Sequence, residues 1–301
     1  MKQIIYSLVA LGFLTAPSGS AELPLVDKVE LQPLAAQAKR IADALDLLGS
    51  PLAENDKKTL ADAGSDSNKT RGVRSIQVIL DKHCLAGVVI TPNAEHRPTM
   101  RARMGPALPE LAEQGWRVFL VKVHNPSGID NMELRIDSPN SLPLTKRSSS
   151  APNPKVVSMG EVGKRFLDLM TYTKQPLARE LSGLELEYRI LQVYCRDAGR
   201  REAELRFSLG KAKSLVVSAN PLEFAFASIP AVLVRLHVRD ADGKSDHDGR
   251  PVVAAFTFTD YQGRIYPAPS RRLAPDFNFH FQVYRADGEA IALQPGEYTV
   301  S

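Results

Sequence analysis

Apolar and polar positions alternate most regularly between Leu184 and Leu209. There Ala203, Leu205, Phe207 and Leu209 interleave with Glu202, Glu204, Arg206 and Ser208, the period of two expected of a strand with one wet face. The preceding run is apolar on both sides. Tyr188 and Ile190 fall on one face and Leu191, Val193 and Cys195 on the other, which predicts either a strand buried on both faces or a bulge near Ile190-Leu191. Asp197-Ala198-Gly199 supplies turn residues, with Gly199 free to take a positive φ. Together these features predict a long β-hairpin that divides the chain into two β-rich halves.

Upstream, Leu34, Ala38, Ile41, Leu45 and Leu48 recur at helical spacing behind Pro33, and Gly49-Ser50-Pro51 ends the run, so an amphipathic helix is expected over Leu34 to Leu48. A second short helix, Ala53 to Ala63, stops at Gly64, and the polar stretch from Gly64 to Arg74 reads as a linker. From Ser75 short β segments take over. Ile76 to Leu80 fits a strand or a brief helix, and Cys84 to Thr91 is a β-branched run. In the strand expected from Trp116 to Asn125, Trp116, Val118, Leu120 and Lys122 share one face and Phe119, Val121 and Val123 the other. Pro126-Ser127-Gly128 turns it into a return strand through Met132, Leu134 and Ile136, a second hairpin. Residues 138–154, rich in Ser, Pro and Asn, read as a long loop. Further alternation marks Val232 to Val238, Ala254 to Phe258, Phe277 to Val283 and Glu297 to Val300. The fold expected is mainly β: two antiparallel β-sandwich, immunoglobulin-like domains at 74–220 and 221–301, preceded by a short helical leader and linker at 22–73.

Composition changes this picture little. A chain of 301 residues that is 44% hydrophobic and 24% charged is ordinary globular protein. Its net charge of +4 comes from scattered Lys and Arg, without the concentrated basic stripe of a nucleic-acid surface, so no nucleic-acid partner is expected. The N-terminus is more informative. Lys2, the apolar run Ile4 to Ala16 and the small residues Gly19-Ser20-Ala21 have the order of a signal peptide over 1–21, which implies export to a periplasmic or extracellular space. The run is shorter than the ~20 residues that span a bilayer, so no transmembrane span is expected.

Export permits a disulfide between Cys84 and Cys195; the alternative is two separate buried thiols acting as small hydrophobes. Neither cysteine belongs to a CxxC pair, and the six histidines form no HxH or HExxH, so no metal or cofactor site and no catalytic residue is nominated. Asp240, Asp242, Asp246 and Asp248 concentrate oxygen donors in a weak calcium candidate. The EF-hand spacing fails, because Gly243 comes early and Pro251 stands where the bidentate Glu belongs, and a solvated turn is the alternative. Tyr194, Tyr261, Tyr266 and Tyr284 offer either a glycan-binding face or cross-strand packing.

Several long segments carry a resemblance. HCLAGVVITPNAE (His83 to Glu95), GPALPELAEQGWRVFLVKVHNPSG (Gly105 to Gly128), LSGLELEYRILQVYCRDAGRREAEL (Leu181 to Leu205) and RRLAPDFNFHFQVYRADGEAIALQPGEYTV (Arg271 to Val300) resemble, in order, the N-terminal region of large secreted bacterial proteins. These belong to the carbaryl-hydrolase-like metallohydrolase group of the polymerase-and-histidinol-phosphatase superfamily. The closing LQPGEYTV is similar to carboxypeptidase-regulatory-like sandwiches. The resemblance implies that a hydrolase domain with a divalent metal lies downstream and that the region from Arg74 to Ser301 holds no catalytic residue. It implies a docking or substrate-presenting role, with that domain or a cell-surface component as partner. The alternative is a stand-alone carbohydrate- or cell-surface-binding module.

Overall fold

The structure, a computed structural model, describes residues 22–95, 97–141, 159–211, 214–240, 251–270, 272, 276–277 and 280–301. The leader expected at 1–21 and most of the loop expected at 138–154 lie outside the described residues. The described chain begins with helices α1 (Leu31–Leu47), α2 (Glu54–Gly64) and α3 (Lys69–Asp81). There follow β1 (Cys84–Pro92), β2 (Pro98–Met104), β3 (Glu110–Ala112), β4 (Gly115–His124) and β5 (Glu133–Asp137). After a single turn, α4 (Met159–Val162), come β6 (Leu167–Thr171), β7 (Leu186–Cys195), β8 (Gly199–Lys211), β9 (Ser214–Ser218) and β10 (Leu222–Ile229). Short strands then build a C-terminal unit: β11 (Val232–Arg235), β12 (Val253–Phe256), β13 (Phe258–Thr259), β14 (Ile265–Tyr266), β15 (Val283–Ala286), β16 (Ala290–Leu293) and β17 (Thr299–Val300). Among the described residues no helix is long and apolar enough to cross a membrane.

The body has three layers. One sheet runs β2-β1-β4-β7-β6, antiparallel except where β1 lies parallel to β4. A second runs β3-β10-β8-β5, parallel only at β3/β10, with β9 beside the end of β8. Leu191, Val193 and Cys195 of β7 and Phe119, Val121 and Val123 of β4 face Ala203, Leu205, Phe207, Phe224 and Phe226 of the second sheet. The opposite face, with Leu120, Leu186, Tyr188 and Ile190, is covered by Leu34, Ile41 and Leu45 of α1 and Ile76 and Leu80 of α3.

Several expectations are corrected here, each for a physical reason. β7 and β8 do not form a hairpin: β7 pairs with β4 and β6, while β8 pairs with β10, β5 and β9. β7 is apolar on both faces and sits inside its sheet, whereas β8 exposes Glu202 and Arg206, so the turn carries the chain across the core to the facing sheet, ~10 Å away. The hairpin expected around Pro126-Ser127-Gly128 is likewise a crossing, because β4 lies in the first sheet and β5 in the second. The helical stretch is not a leader ahead of the β region but its third layer. The stretch Gly64 to Arg74 is mostly helix: the Asn68 side chain accepts the Arg71 N–H at 3.0 Å and caps α3. Accordingly the boundary expected at 73/74 falls inside α3, and that at 220/221 separates β9 and β10, both partners of β8. The parallel pairs and the helical layer depart from an immunoglobulin-like sandwich. Near the C-terminus, of the strand expected from Phe277 to Val283 the described residues Phe277 and His280 to Gln282 lie outside any strand, and β15 starts at Val283; the Arg272 guanidinium engages the carbonyls of His280, Phe281 and Gln282 at 3.0, 3.1 and 2.7 Å.

Where α3 meets the first sheet, three polar groups are buried together. Lys122 Nζ lies 2.7 Å from Asp81 Oδ2 and donates to the Pro24 carbonyl at 2.9 Å, and the Tyr188 hydroxyl donates to Asp81 Oδ1 at 2.8 Å. Burial pushes the Asp81 carboxyl up, against the opposing pull of the Lys122 ammonium and the Tyr188 hydroxyl. Asp81→Ala leaves the Lys122 ammonium buried without its counter-ion and is expected to lower unfolding free energy by about 3–5 kcal/mol in urea melts. The double replacement Asp81→Leu with Lys122→Met is expected to lose much less; equal losses would rule out the pairing as the cause.

Candidate functional site

The sequence-derived candidates do not converge. Cys84 and Cys195 are both free and buried. Cys84 packs among the helices and Cys195 against the second sheet, so they lie on opposite faces of the same sheet. Cys84 is level with Leu120 and therefore with Ile190, and Cys195 lies farther along β7 by roughly 16 Å at about 3.3 Å per residue, beyond the ~7 Å reach of a disulfide. Of the two alternatives, a bridge or two separate thiols, the structure has the second, and burial pushes both thiols up, which keeps them protonated and inert. Of the calcium candidate, Asp240 is exposed, and Asp242, Asp246 and Asp248 lie outside the described residues. No group of His, Cys, Asp and Glu placed to hold a metal occurs among the described residues. Three of the four tyrosines serve packing: Tyr194 against Trp116 at 5.5 Å, Tyr266 edge-on to Tyr298 at 5.1 Å and Tyr284 against Phe277 at 6.0 Å. Tyr261 is 89% exposed.

The seam between the body and the C-terminal unit does bring chemistry together. β1 starts at Cys84, opposite Leu120, so Gly115 to Val118 of β4 project past it and leave a space at the sheet edge. The C-terminal unit fills that space. The Ile265 N–H donates to the Gly49 carbonyl at 2.8 Å, and the Ser270 hydroxyl hydrogen-bonds Gln192 of β7. Gly49 has φ +62°, and a Cβ there would lie 2.9 Å from Ile265, so only glycine allows this approach. The β13–β14 turn is organised by Asp260, whose carboxylate accepts the N–H groups of Gln262 and Arg264 at 2.9 and 3.0 Å and the Arg264 guanidinium at 2.7 Å. Burial pushes the Asp260 carboxyl up, but these donors outweigh it and hold it below the usual carboxylate range.

Between the two parts remains a cleft of about 50 Å³, walled by Trp116, Arg117, Arg264, Tyr266 and Gln294 among others. Two donors in its walls, Arg117 Nε and Gln294 Nε2, are buried without an acceptor. The nearby phenols do not supply negative charge: burial pushes Tyr266 up and Tyr298 up to about 12. Sequence reasoning missed this site. The available signal was Arg117, a cation on the face whose later positions are Phe119, Val121 and Val123. No protein-family model and no curated protein matches this chain.

The chain's single tryptophan, Trp116, sits in the seam and reports on it. Gly49→Ala is expected to loosen the C-terminal unit, with a cost of ~1–2 kcal/mol from the left-handed backbone alone, seen as a red shift of Trp116 emission with unchanged far-UV circular dichroism. Acid acts on the same seam. Because the folded pKa of Asp260 lies below the unfolded value of about 3.9, its stabilisation is present above that pH and is lost as pH falls through the folded value. Trp116 emission is therefore expected to stay constant from about pH 7 to 5 and to shift below about pH 4, and Asp260→Asn should remove that transition.

Proposed function

We propose that this chain is an exported, non-catalytic β-rich accessory region that docks a metal-dependent hydrolase domain or a cell-surface component. One observation carries the reading: the strands of the C-terminal unit leave apolar side chains in solvent, Leu233 at 75% exposure and Val253 at 66%, with Val232 and Val300 also exposed. Exposed apolar surface at sheet edges is the ordinary mark of a surface that meets another protein. Among the described residues the core cluster of this unit is small, Phe258, Val283, Ile291 and Leu293, which supports the same view, since so little buried surface gains from a covering partner. The resemblance to the N-terminal region of carbaryl-hydrolase-like proteins, with a closing segment similar to carboxypeptidase-regulatory-like sandwiches, names the partner domain. The order of Lys2, the apolar run and Gly19-Ser20-Ala21 supports export.

A second reading, a stand-alone carbohydrate-binding module, is favoured by Tyr261, whose exposed ring has its hydroxyl held by Gln262 Nε2 at 3.0 Å.

The docking reading expects that an HxH-bearing hydrolase domain of the resembled group, added in trans, is retained by immobilised wild-type chain but not by the Leu233→Glu, Val253→Glu double variant. Equal retention by both, or by neither, sinks it. A glycan array probes the second reading, where loss of signal in Tyr261→Ala is the expected result. Divalent-metal-dependent ester hydrolysis by the chain alone would contradict the non-catalytic assignment.

A further inference from the structure

We propose that the outer corner of the first sheet binds a linear acidic polysaccharide, with the Arg101 and Arg103 guanidinium groups of β2 donating to its carboxylates. On the helix side of this sheet α1 lies over β7 and α3 over β4, so β1 and β2 extend past the helices. In the register of β1 and β2, Thr91 stands opposite Thr99, Val89 opposite Arg101 and Gly87 opposite Arg103. Gly87 also stands beside Lys122, whose ammonium reaches Asp81 of α3, so these residues turn to the helix side. Leu23 rests on Gly87, where a Cβ would lie 2.7 Å from Leu23 Cδ2. Past Leu23 the corner is open: Thr91, Thr99, Arg101 and Arg103 are all exposed.

Charge and spacing narrow the partner. Arg101 and Arg103 stand two residues apart on one strand, roughly 7 Å at about 3.4 Å per residue, and neither has an ion-pair partner among the described residues. Arg97 continues the line at the turn, where it meets Glu95 at 3.4 Å. Of the carboxylates around the corner, Glu185 is taken by His124 at 3.0 Å and Asp81 by Lys122 at 2.7 Å; Glu22 and Asp27, exposed on either side of the Leu23 to Val26 segment, pair with neither arginine. Edge protection does not by itself call for two arginines, since the Asn220 amide already meets this edge at Ala102. A planar guanidinium takes a carboxylate through two parallel hydrogen bonds, and a row of them suits a partner whose carboxylates repeat along its length. The Thr91 and Thr99 hydroxyls, 2.9 Å apart, add hydrogen-bonding groups for sugar hydroxyls. Among its described residues the corner has no exposed Phe, Tyr or Trp on which bases could stack. Its apolar groups, Val89 and Leu23, are half-buried and buried, which leaves little to insert into a bilayer. This surface is not that of the exposed C-terminal strands, so the inference does not rest on the docking reading.

The test is fluorescence anisotropy of labelled polygalacturonate titrated with the full chain, with neutral dextran and a single-stranded oligonucleotide as labelled comparisons. Co-sedimentation with anionic phospholipid vesicles covers the bilayer alternative. Saturable binding to polygalacturonate is expected, tighter than to the other three and weakening between about 50 and 200 mM salt. Arg101→Gln with Arg103→Gln is expected to weaken it at least about tenfold and to flatten its dependence on log salt by about one unit per arginine. Lys39→Gln with Lys58→Gln removes equal charge from exposed positions of α1 and α2, and is expected to leave binding within about twofold of wild type. Circular dichroism checks that both variants fold, as exposed substitutions of this kind do. The proposal is overturned if polygalacturonate is not bound, if the oligonucleotide or the vesicles are bound as tightly, if the arginine variant binds like wild type, or if the lysine variant loses as much.

Discussion

A strand with no wet face must be covered twice, and β7 imposes that condition on the body. Leu186, Tyr188 and Ile190 on one side and Leu191, Val193 and Cys195 on the other are all essentially inaccessible to solvent. Each buried side chain of this size contributes on the order of 1.5–3 kcal/mol, so exposing either face would remove a large fraction of a domain's net stability. The helical layer exists to cover one face and the second sheet to cover the other. The polar groups on β7 obey the same condition. Arg189 pairs with Glu187 at 2.9 Å and donates to the Ala178 carbonyl at 2.6 Å, which ties the loop before β7 to the strand. Where β6 ends, α1 takes over its hydrogen-bonding role, as Gln37 donates to the Tyr188 carbonyl at 2.7 Å.

Covering β7 from both sides requires that the chain change sheets often, and this in turn brings the sheet edges together. Isolated bridges join Glu113 to Cys195 and Ser141 to Leu167, so both sheets are stitched at their corners. The free edge of β2 is met by a side chain: Asn220 accepts the Ala102 N–H at 3.0 Å and donates to the Ala102 carbonyl at 3.1 Å. An amide that mimics a strand partner at that point leaves less open edge for a foreign strand. Among the described residues the C-terminal unit shows no comparable protection, with two-residue strands and a core cluster of Phe258, Val283, Ile291 and Leu293, and it is held against the body by the Ile265–Gly49 and Ser270–Gln192 hydrogen bonds. The exposed strands of that unit are what the docking proposal rests on.

Much of this was legible before any coordinates. The period of two in β8 marked its wet face, the two-sided apolar run left β7 either buried on both faces or bulged near Ile190-Leu191, of which the structure has the first, and the spacing from Leu34 to Leu45 marked α1. The turn residues were recognised too, but their meaning was not. Asp197-Ala198-Gly199 reads the same whether the chain folds back in its own sheet or crosses to the next, because a local turn signal carries no information about the layer in which the next strand lies. The start of α3 was hidden for a related reason: Asp, Ser and Asn in 65–68 favour loops and N-caps alike, and only the packing of Gly72 against Ala63 makes the capped helix the outcome.

The candidate site shows the same division more sharply. Residue types alone determined that Cys84 and Cys195 are apolar strand positions and that Arg117 is a cation at the start of an apolar strand. Only the tertiary structure decided that the thiols lie on opposite faces of one sheet. Only it decided that Arg117 and Gln294, a residue far along the chain, wall the same cleft beside β4. Periodicity is a property of neighbouring residues and can be read from them, whereas a cleft is made where separate elements end, and nothing in either element states where the other stops.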